Sequence, residues 1–342
     1  MVHKIMIVFI IIILLFLTLF LFRSDDFRVT SSAYIMNTFI QMRVYDDNAR
    51  EIINKSFDRI RDIENKMSVN IEQSYVYQIN KNAGREAVKV DDETFMLIKR
   101  AIDYAKLSEG KFDPSIGPLV KLWGIGSANA RIPSEIEIAN AINKVNYKWI
   151  ELNEKENTVF LSREGMSIDL GGIAKGYAAD IVKDIVEEHQ IDSAYIDIGG
   201  NIYVIGNRPD ERPWNIGIQD PRHNRGNVMA GIELSNKTIV TSGNYERYFV
   251  EDDILYHHIF DPVTGYPARS GNISTSIISD NSMDADALST IIFMSSPEES
   301  MELVESLEGT EAMIIREDLG IILSSGLKDN IKIENTDFYF LD

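Results

Sequence analysis

Cysteine is absent from the 342-residue chain, which rules out disulfides, thiolate metal ligands, a cysteine nucleophile and a lipid anchor on an N-terminal cysteine. Positive charge is scarce: 34 Lys and Arg face 53 Asp and Glu, for a formal charge of −19. That surplus repels a phosphate backbone, and no basic cluster interleaved with aromatics offsets it, so we expect no nucleic-acid partner. Divalent cations are the natural counterions wherever the carboxylates converge. Repeats, low-complexity tracts and Pro/Ser linkers are missing across 33–342. Nothing in the sequence divides that stretch, and 44% hydrophobic residues suffice for a real core.

Long apolar runs are missing too, with one exception. Residues 5–22, IMIVFIIIILLFLTLFLF, follow Lys4 and are interrupted only by Thr18. At ~1.5 Å per helical residue the run spans roughly 27 Å, near the lower limit for a bilayer core. No small-x-small cleavage pattern follows, since RSDDFRV comes next, so the run reads as an uncleaved signal-anchor. The N-terminal amine, His3 and Lys4 compete with Arg23 and Arg28, the latter pair diluted by Asp25 and Asp26. We expect 1–22 to be a membrane anchor, 23–32 a polar tether, and 33–342 a single body on the extracytoplasmic face.

Within that body, AYIMNTFIQMRVY (33–45) alternates and is rich in β-branched and aromatic residues, which predicts a strand. Ile53, Phe57, Ile60, Ile63 and Met67 recur at helical spacing over 48–67. A second helix is expected over roughly 92–108, capped by Asp91 or Asp92 and stopped at Gly110. A third begins at Ser134, where Glu137 supplies the partner of a capping box. Beyond 149, short strands (WIEL, TVFL, AYIDIG, IYVIG, WNIGIQ, GIELS) alternate with turns, and helices are expected only near 173–189 and 284–306. AMIIRE, GIILSS and DFYFL read as closing strands. The pattern is one α+β domain around mixed sheets, with room for two lobes.

Five stretches offer chemistry. In SIDLGGIAKGYAADI (167–181), Ile168 and Leu170 flank Asp169 on an expected strand that ends at Gly171-Gly172. The helix opening there exposes backbone N–H groups and a positive dipole end, so an anion fits, with Lys175 in reach. A plain strand-to-helix turn with a surface lysine fits equally, and the G-x-G-x-x-G dinucleotide spacing is absent. YIDIGGNIYVIG (195–206) repeats the acid–Gly–Gly pattern, with Asp197 read as a turn-capping scaffold residue. In HHIFDPVTGYPA (257–268), Asp261-Pro262 and Thr264-Gly265 build a tight turn. If 255–260 is a strand, His257 and His258 point to opposite faces, one toward a ligand and the other toward solvent. MDADALST (283–290) puts Asp286 and Thr290 on one helical face: either a hard-oxygen set suited to Mg²⁺ rather than Zn²⁺, or an N-capped helix start. KFDPSIGPLVKLWGIG (111–126) reads as a Gly- and Pro-punctuated loop, able to wrap a flat ring or simply to pack as an Ω-type loop.

Taken in order, these motifs resemble the ApbE-type flavin transferases, the FAD:protein FMN transferases. The matches are M-N-T at 36–38 (commonly M-G-T in the family), F-D-P-S-I-G-P-L-V-x-L-W-G-x-G at 112–126 and D-L-G-G-I-A-K-G-Y-A-A-D at 169–180. D-I-G-G at 197–200, T-S-G-x-Y at 241–245, H-I-F-D-P-x-T-G-x-P at 258–267 and A-D-A-L-S-T at 285–290 complete them. The resemblance covers about 33–341 and implies an ApbE-like α+β domain over 33–342. It implies a Mg²⁺-dependent enzyme that splits FAD, moves FMN onto a Ser or Thr hydroxyl of an acceptor flavoprotein, and releases AMP. By position it implies Gly172, Asp286, Ser289 and Thr290 around the metal, with the Gly172 carbonyl as a ligand whose missing side chain leaves the metal room. Met36, Asn70, Lys111, Phe112, Asp113, Asp169, Lys175 and Phe260 would line the FAD site, and His258 would be the general base. The chain departs from the family in lacking a lipidated cysteine, and in carrying Asn70 where many relatives place Tyr. The smaller Asn70 would admit water, so FAD hydrolysis to FMN and AMP is one alternative function; a non-catalytic extracytoplasmic flavin-binding protein is another.

Overall fold

The computed structural model describes residues 28–223, 226–328 and 330–341. The expected membrane segment 1–22 and residues 23–27 of the expected tether lie outside them. Among the described residues no helix is long and apolar enough to cross a membrane.

The chain opens as a hairpin where one strand was expected. Arg28–Ile35 pairs antiparallel with Thr38–Tyr45, from Arg28↔Tyr45 to Ile35↔Thr38. Met36 and Asn37 form the two-residue turn, at φ 54° and 55°. Both lie in the left-handed region that such turns require and that Asn tolerates better than most residues. Residues 28–32, expected in the tether, therefore belong to the sheet: the alternation of R-V-T-S-S continues the strand outward, and its backbone groups pair with 41–45.

This hairpin is one edge of a nine-stranded sheet. Its order runs Arg28–Ile35, Thr38–Tyr45, Ala194–Ile198, Asn201–Ile205, Lys237–Gly243, Asn272–Ser279, Glu311–Arg316, Gly320–Leu323 and Tyr339–Phe340. Only the last pairing is parallel. Period-two alternation sends Ile277 and Ile314 into a large core on one face, and Ile278 and Ile315 into a second core on the other. The first core is roofed by helices α1 (Ala49–Met67), α2 (Tyr75–Lys81), α3 (Asp92–Leu107) and α6 (Ala174–Glu188), together with α7 (Ser282–Phe293). The second lies under a three-stranded sheet formed by Trp214–Gln219, Val228–Leu234 and Ile331–Ile333. A small third cluster joins α4 (Gly117–Trp123) and α5 (Glu135–Ile142) to Phe260.

Most expected elements form, with their caps. Asp91 accepts from Thr94 N at the start of α3, and Ser134 and Glu137 close the capping box of α5. Three expectations change. The 111–126 segment is not a loop throughout, because α4 occupies its middle. Its Pro118 sits in the first turn and Gly124 caps the end at φ 61°, so the residues that suggested a loop are helix punctuation. The expected helix 284–306 is two: Ser296 starts α8 (Pro297–Glu305) with its own capping box and Pro297 at its head. The expected strand through Asp169 is an extended segment outside the sheets, whose Ile168 backbone N–H and C=O are both held by the Asn80 side chain, at 2.7 and 2.9 Å.

Candidate active site

Two helices that start side by side build the centre of the site. Gly176 of α6 lies so close to the start of α7 that a Cβ there would sit 2.1 Å from the Ser282 carbonyl oxygen. Each helix places a carboxylate on the other's exposed N-terminal donors. Asp180 of α6 accepts from Ser282 N and Met283 N at 2.7 and 2.8 Å, and Asp286 of α7 accepts from Gly176 N at 3.0 Å. The start of α6 thus holds one of the protein's own carboxylates, Asp286. Lys175 completes the arrangement, its Nζ 3.0 Å from both Asp286 Oδ1 and Asn201 Oδ1. Asp286 is only 3% exposed, so this ion pair is largely screened from solvent.

The pair opens into a cavity of about 540 Å³, a size suited to a cofactor-like ligand. Eleven of the thirteen side chains or backbones singled out in the sequence line it: Met36, Lys111, Phe112, Asp113, Asp169, Gly172, Lys175, His258, Phe260, Asp286 and Thr290. Asn70 and Ser289 are not in the wall. Asn70 is exposed in the turn after α1, its N–H bonded to Ser68 Oγ. Ser289 is fully buried, donates to the Asp286 carbonyl and bonds Ser242 Oγ at 2.8 Å, so its hydroxyl supports the wall from behind.

The wall residues differ in what they leave free. Asp113 is spent internally: Oδ1 accepts from the Ser115 N–H and hydroxyl, and Oδ2 from Tyr147 N. Burial pushes its carboxyl upward and those bonds oppose the rise. Asp169 is also pushed up by burial, against the Gly171 N–H bond and the charge of Arg247. Lys111 reaches Glu299 at 2.7 Å and Ser295 at 3.2 Å. Phe112 explains Gly172, because a Cβ there would meet the Phe112 ring at 2.9 Å. Steric fit to this ring, rather than room for a metal, is the constraint the structure shows.

The two histidines do not divide between ligand and solvent. The strand ends at His257, which is buried against Phe293, its Nδ1 accepting from Ile259 N and its Nε2 donating to the Ala268 carbonyl. Those bonds require the neutral ring, and burial lowers its pKa to about 4. His258 follows the strand and lines the cavity, with a buried Nδ1 that has no hydrogen-bond partner among the described residues. Burial, followed by the charge of Arg247, lowers it to about 3. Asp197 behaves as expected, holding the Gly199-Gly200 turn through Gly200 N at 2.8 Å.

Asp286, Thr290 and Ser242 lie together, Ser242 Oγ 3.4 Å from Thr290 Oγ1, and with Gly172 they line the cavity as a hard-oxygen set. Among the described residues no three His, Cys, Asp or Glu side chains converge as a metal cluster. One carboxylate with hydroxyl and carbonyl oxygens fits Mg²⁺ and not Zn²⁺. A divalent ion there would share Asp286 with the Lys175 ammonium. The sequence reading missed Arg247, Asn201, Ser242 and Tyr34. Only Asn201 and Ser242 had a signal, Asn201 directly following D-I-G-G and Ser242 lying inside T-S-G-x-Y.

A cavity of this size with a helix-borne Lys–Asp pair and aromatic residues in its lining is the frame of a ligand-binding protein. A model of the ApbE family matches residues 36–314, and the chain belongs to that family. It is 34% identical over 321 residues to the FAD:protein FMN transferase of Treponema pallidum (strain Nichols), covering 89% of each chain. A Klebsiella pneumoniae (strain 342) FAD:protein FMN transferase is 34% identical over 302 residues, covering 88% of this chain and 93% of that one. The ApbE protein of Thermotoga maritima superposes with a TM-score of 0.83 at 37% identity, over 89% of this chain and 99% of that one. Flavin transferase ApbE from Vibrio cholerae gives 0.80 at 26% identity, with the same shares.

Proposed function

We propose that this chain is a Mg²⁺-dependent FAD:protein FMN transferase. An acceptor Ser or Thr oxygen forms a bond to the FMN-side phosphorus of FAD, the bridging P–O bond breaks, and AMP leaves. The observation that carries this reading is the Lys175–Asp286 pair, 3.0 Å apart in the wall of the cavity that also presents His258. The relatives' shared name supports the substrate and the reaction.

Asp286, Thr290 and the Gly172 backbone would hold the metal. Bound there, Mg²⁺ supplies charge neutralisation to the pyrophosphate oxygens. Phe112 and Phe260 flank the space for a flat ring, and Lys175 lies beside the pair to meet phosphate charge. His258 offers an unpartnered Nδ1 in a neutral ring, able to take the acceptor proton. The negative charge of the arriving substrate raises its basicity from the low value set by burial and Arg247. Positioning in a closed wall provides much of the acceleration. The apolar run at 5–22 supports anchoring to the membrane with the domain on its extracytoplasmic face.

Full-length protein is incubated with FAD, MgCl₂ and candidate flavoprotein acceptors, with the mass of one FMN unit and free AMP as readouts. Asp286→Ala should lower turnover at least about 100-fold, the scale of losing an electrostatic contact to the reacting group. Unchanged turnover would sink the assigned metal role and favour a different site. FAD binding with no transfer to any acceptor would favour a pure flavin binder. AMP released without acceptor measures hydrolysis, a branch that Asn70, outside the cavity wall, does not support.

A further inference from the structure

We infer that Arg247 is a binding residue for the phosphates of the dinucleotide, an inference that rests on the FAD reading above. Three cations line the cavity: Lys111, Lys175 and Arg247. Two are already matched, Lys111 by Glu299 and Lys175 by Asp286. Among the described residues no carboxylate lies within ion-pair distance of Arg247, in a chain whose formal charge is −19. Asp169 in the same lining feels the Arg247 charge without an ion pair between them among the described residues, so a pyrophosphate diester, which brings two negative charges, has a guanidinium to meet there.

The guanidinium is positioned without using up its charge. Its backbone carbonyl accepts from His258 N at 3.1 Å, which ties it to the residue whose ring faces the cavity. Its Cδ lies 3.4 Å from where a Cβ of Gly126 would be, so the aliphatic stem crosses a glycine held at φ 85°. Nη2 donates to the Asn37 carbonyl at 3.3 Å, in the hairpin turn whose Met36 and Asn37 also line the cavity. One of five donors is taken by a neutral carbonyl, and Arg247 is exposed. Neighbouring groups feel the charge, since Arg247 opposes the upward push on Asp169 and helps to lower His258. A bidentate, charge-assisted contact to phosphate oxygen is the interaction this geometry suits. The plainer role, a clamp on the 36–37 turn, uses the same Nη2 bond and predicts no preference for phosphate.

The test compares FAD with riboflavin, which carries the ring and no phosphate, by fluorescence titration of the full-length protein without Mg²⁺. Arg247→Ala should weaken FAD about tenfold or more and leave riboflavin within twofold, with FAD binding losing salt dependence. Arg247→Lys should keep part of the affinity, because it retains charge and loses the fork. Equal losses for both ligands would show a packing role and overturn the inference. Unchanged FAD affinity with a raised acceptor KM would move Arg247 to the acceptor and overturn it as well. If the parent protein binds no FAD, the FAD reading fails first and Arg247 with it.

Discussion

Gly176→Ala tests whether the contact between α6 and α7 sets the site. A Cβ at this position would lie 2.1 Å from Ser282 O, 2.6 Å from Ser282 C and 2.7 Å from Met283 Cα, all backbone. Carbon contacts settle near 3.5 Å, so the helices must part by roughly 1 Å, in a core that does not deform freely. That movement stretches the Gly176 N–Asp286 bond and the two Asp180 bonds, at 3.0, 2.7 and 2.8 Å in the parent. Alanine gains about 1 kcal/mol in helix propensity. Overpacking costs about 1–3 kcal/mol, and each weakened bond to a charged group up to about 1.5–3 kcal/mol. The net should be about 2–4 kcal/mol of destabilisation, a fall in melting temperature of roughly 3–6 °C for a chain of 342 residues. Circular dichroism melting of parent and variant reads it directly. A variant that melts at or above the parent would refute the argument, because propensity alone would then outweigh the contact.

Two pH predictions carry opposite signs. Burial holds Asp180 up near 6 against its two N–H bonds, above the unfolded value of about 3.9. The native state binds the extra proton between those values, so this contribution is present below pH 4 and lost as pH rises through 6. Asp180→Asn removes the charge but keeps only one oxygen for the two α7 donors, so relative to the parent it should gain about 1–2 kcal/mol on going from pH 4 to pH 7. A comparable loss would show that the charge at the helix start wins. His257 titrates near 4 when folded and about 6.5 unfolded, so its stabilising share is full above pH 6.5 and falls away toward pH 4. His257→Gln should flatten the melting temperature between pH 4 and 6.5, and an undiminished acid slope would refute the assignment.

Local signals carried far where local physics decides. Asp91, Ser134 and Glu137 announce their helices because a cap is a bond between near neighbours. Signals with two local meanings misled: Pro118 and Gly124 punctuate a helix as readily as a loop, and Met36-Asn37 hides a hairpin inside one apolar alternation. The strand Asn272–Ser279, NISTSIIS, gave no alternation to read, since it is almost wholly covered and its Ser and Thr hydroxyls bond inside the core.

The same division holds at the site. Composition alone removed thiol chemistry and disulfides, because those depend on which residues exist. Ordered motifs brought eleven residues to the lining of one cavity. What each residue does there depended on its partners. Asp113 and Ser289 are consumed internally, Gly172 answers to Phe112, and the start of α6 holds Asp286 through Gly176 N. Arg247 had no motif at all; its guanidinium meets the Asn37 carbonyl and its charge reaches Asp169, contacts between residues far apart in the chain that only the tertiary structure decides.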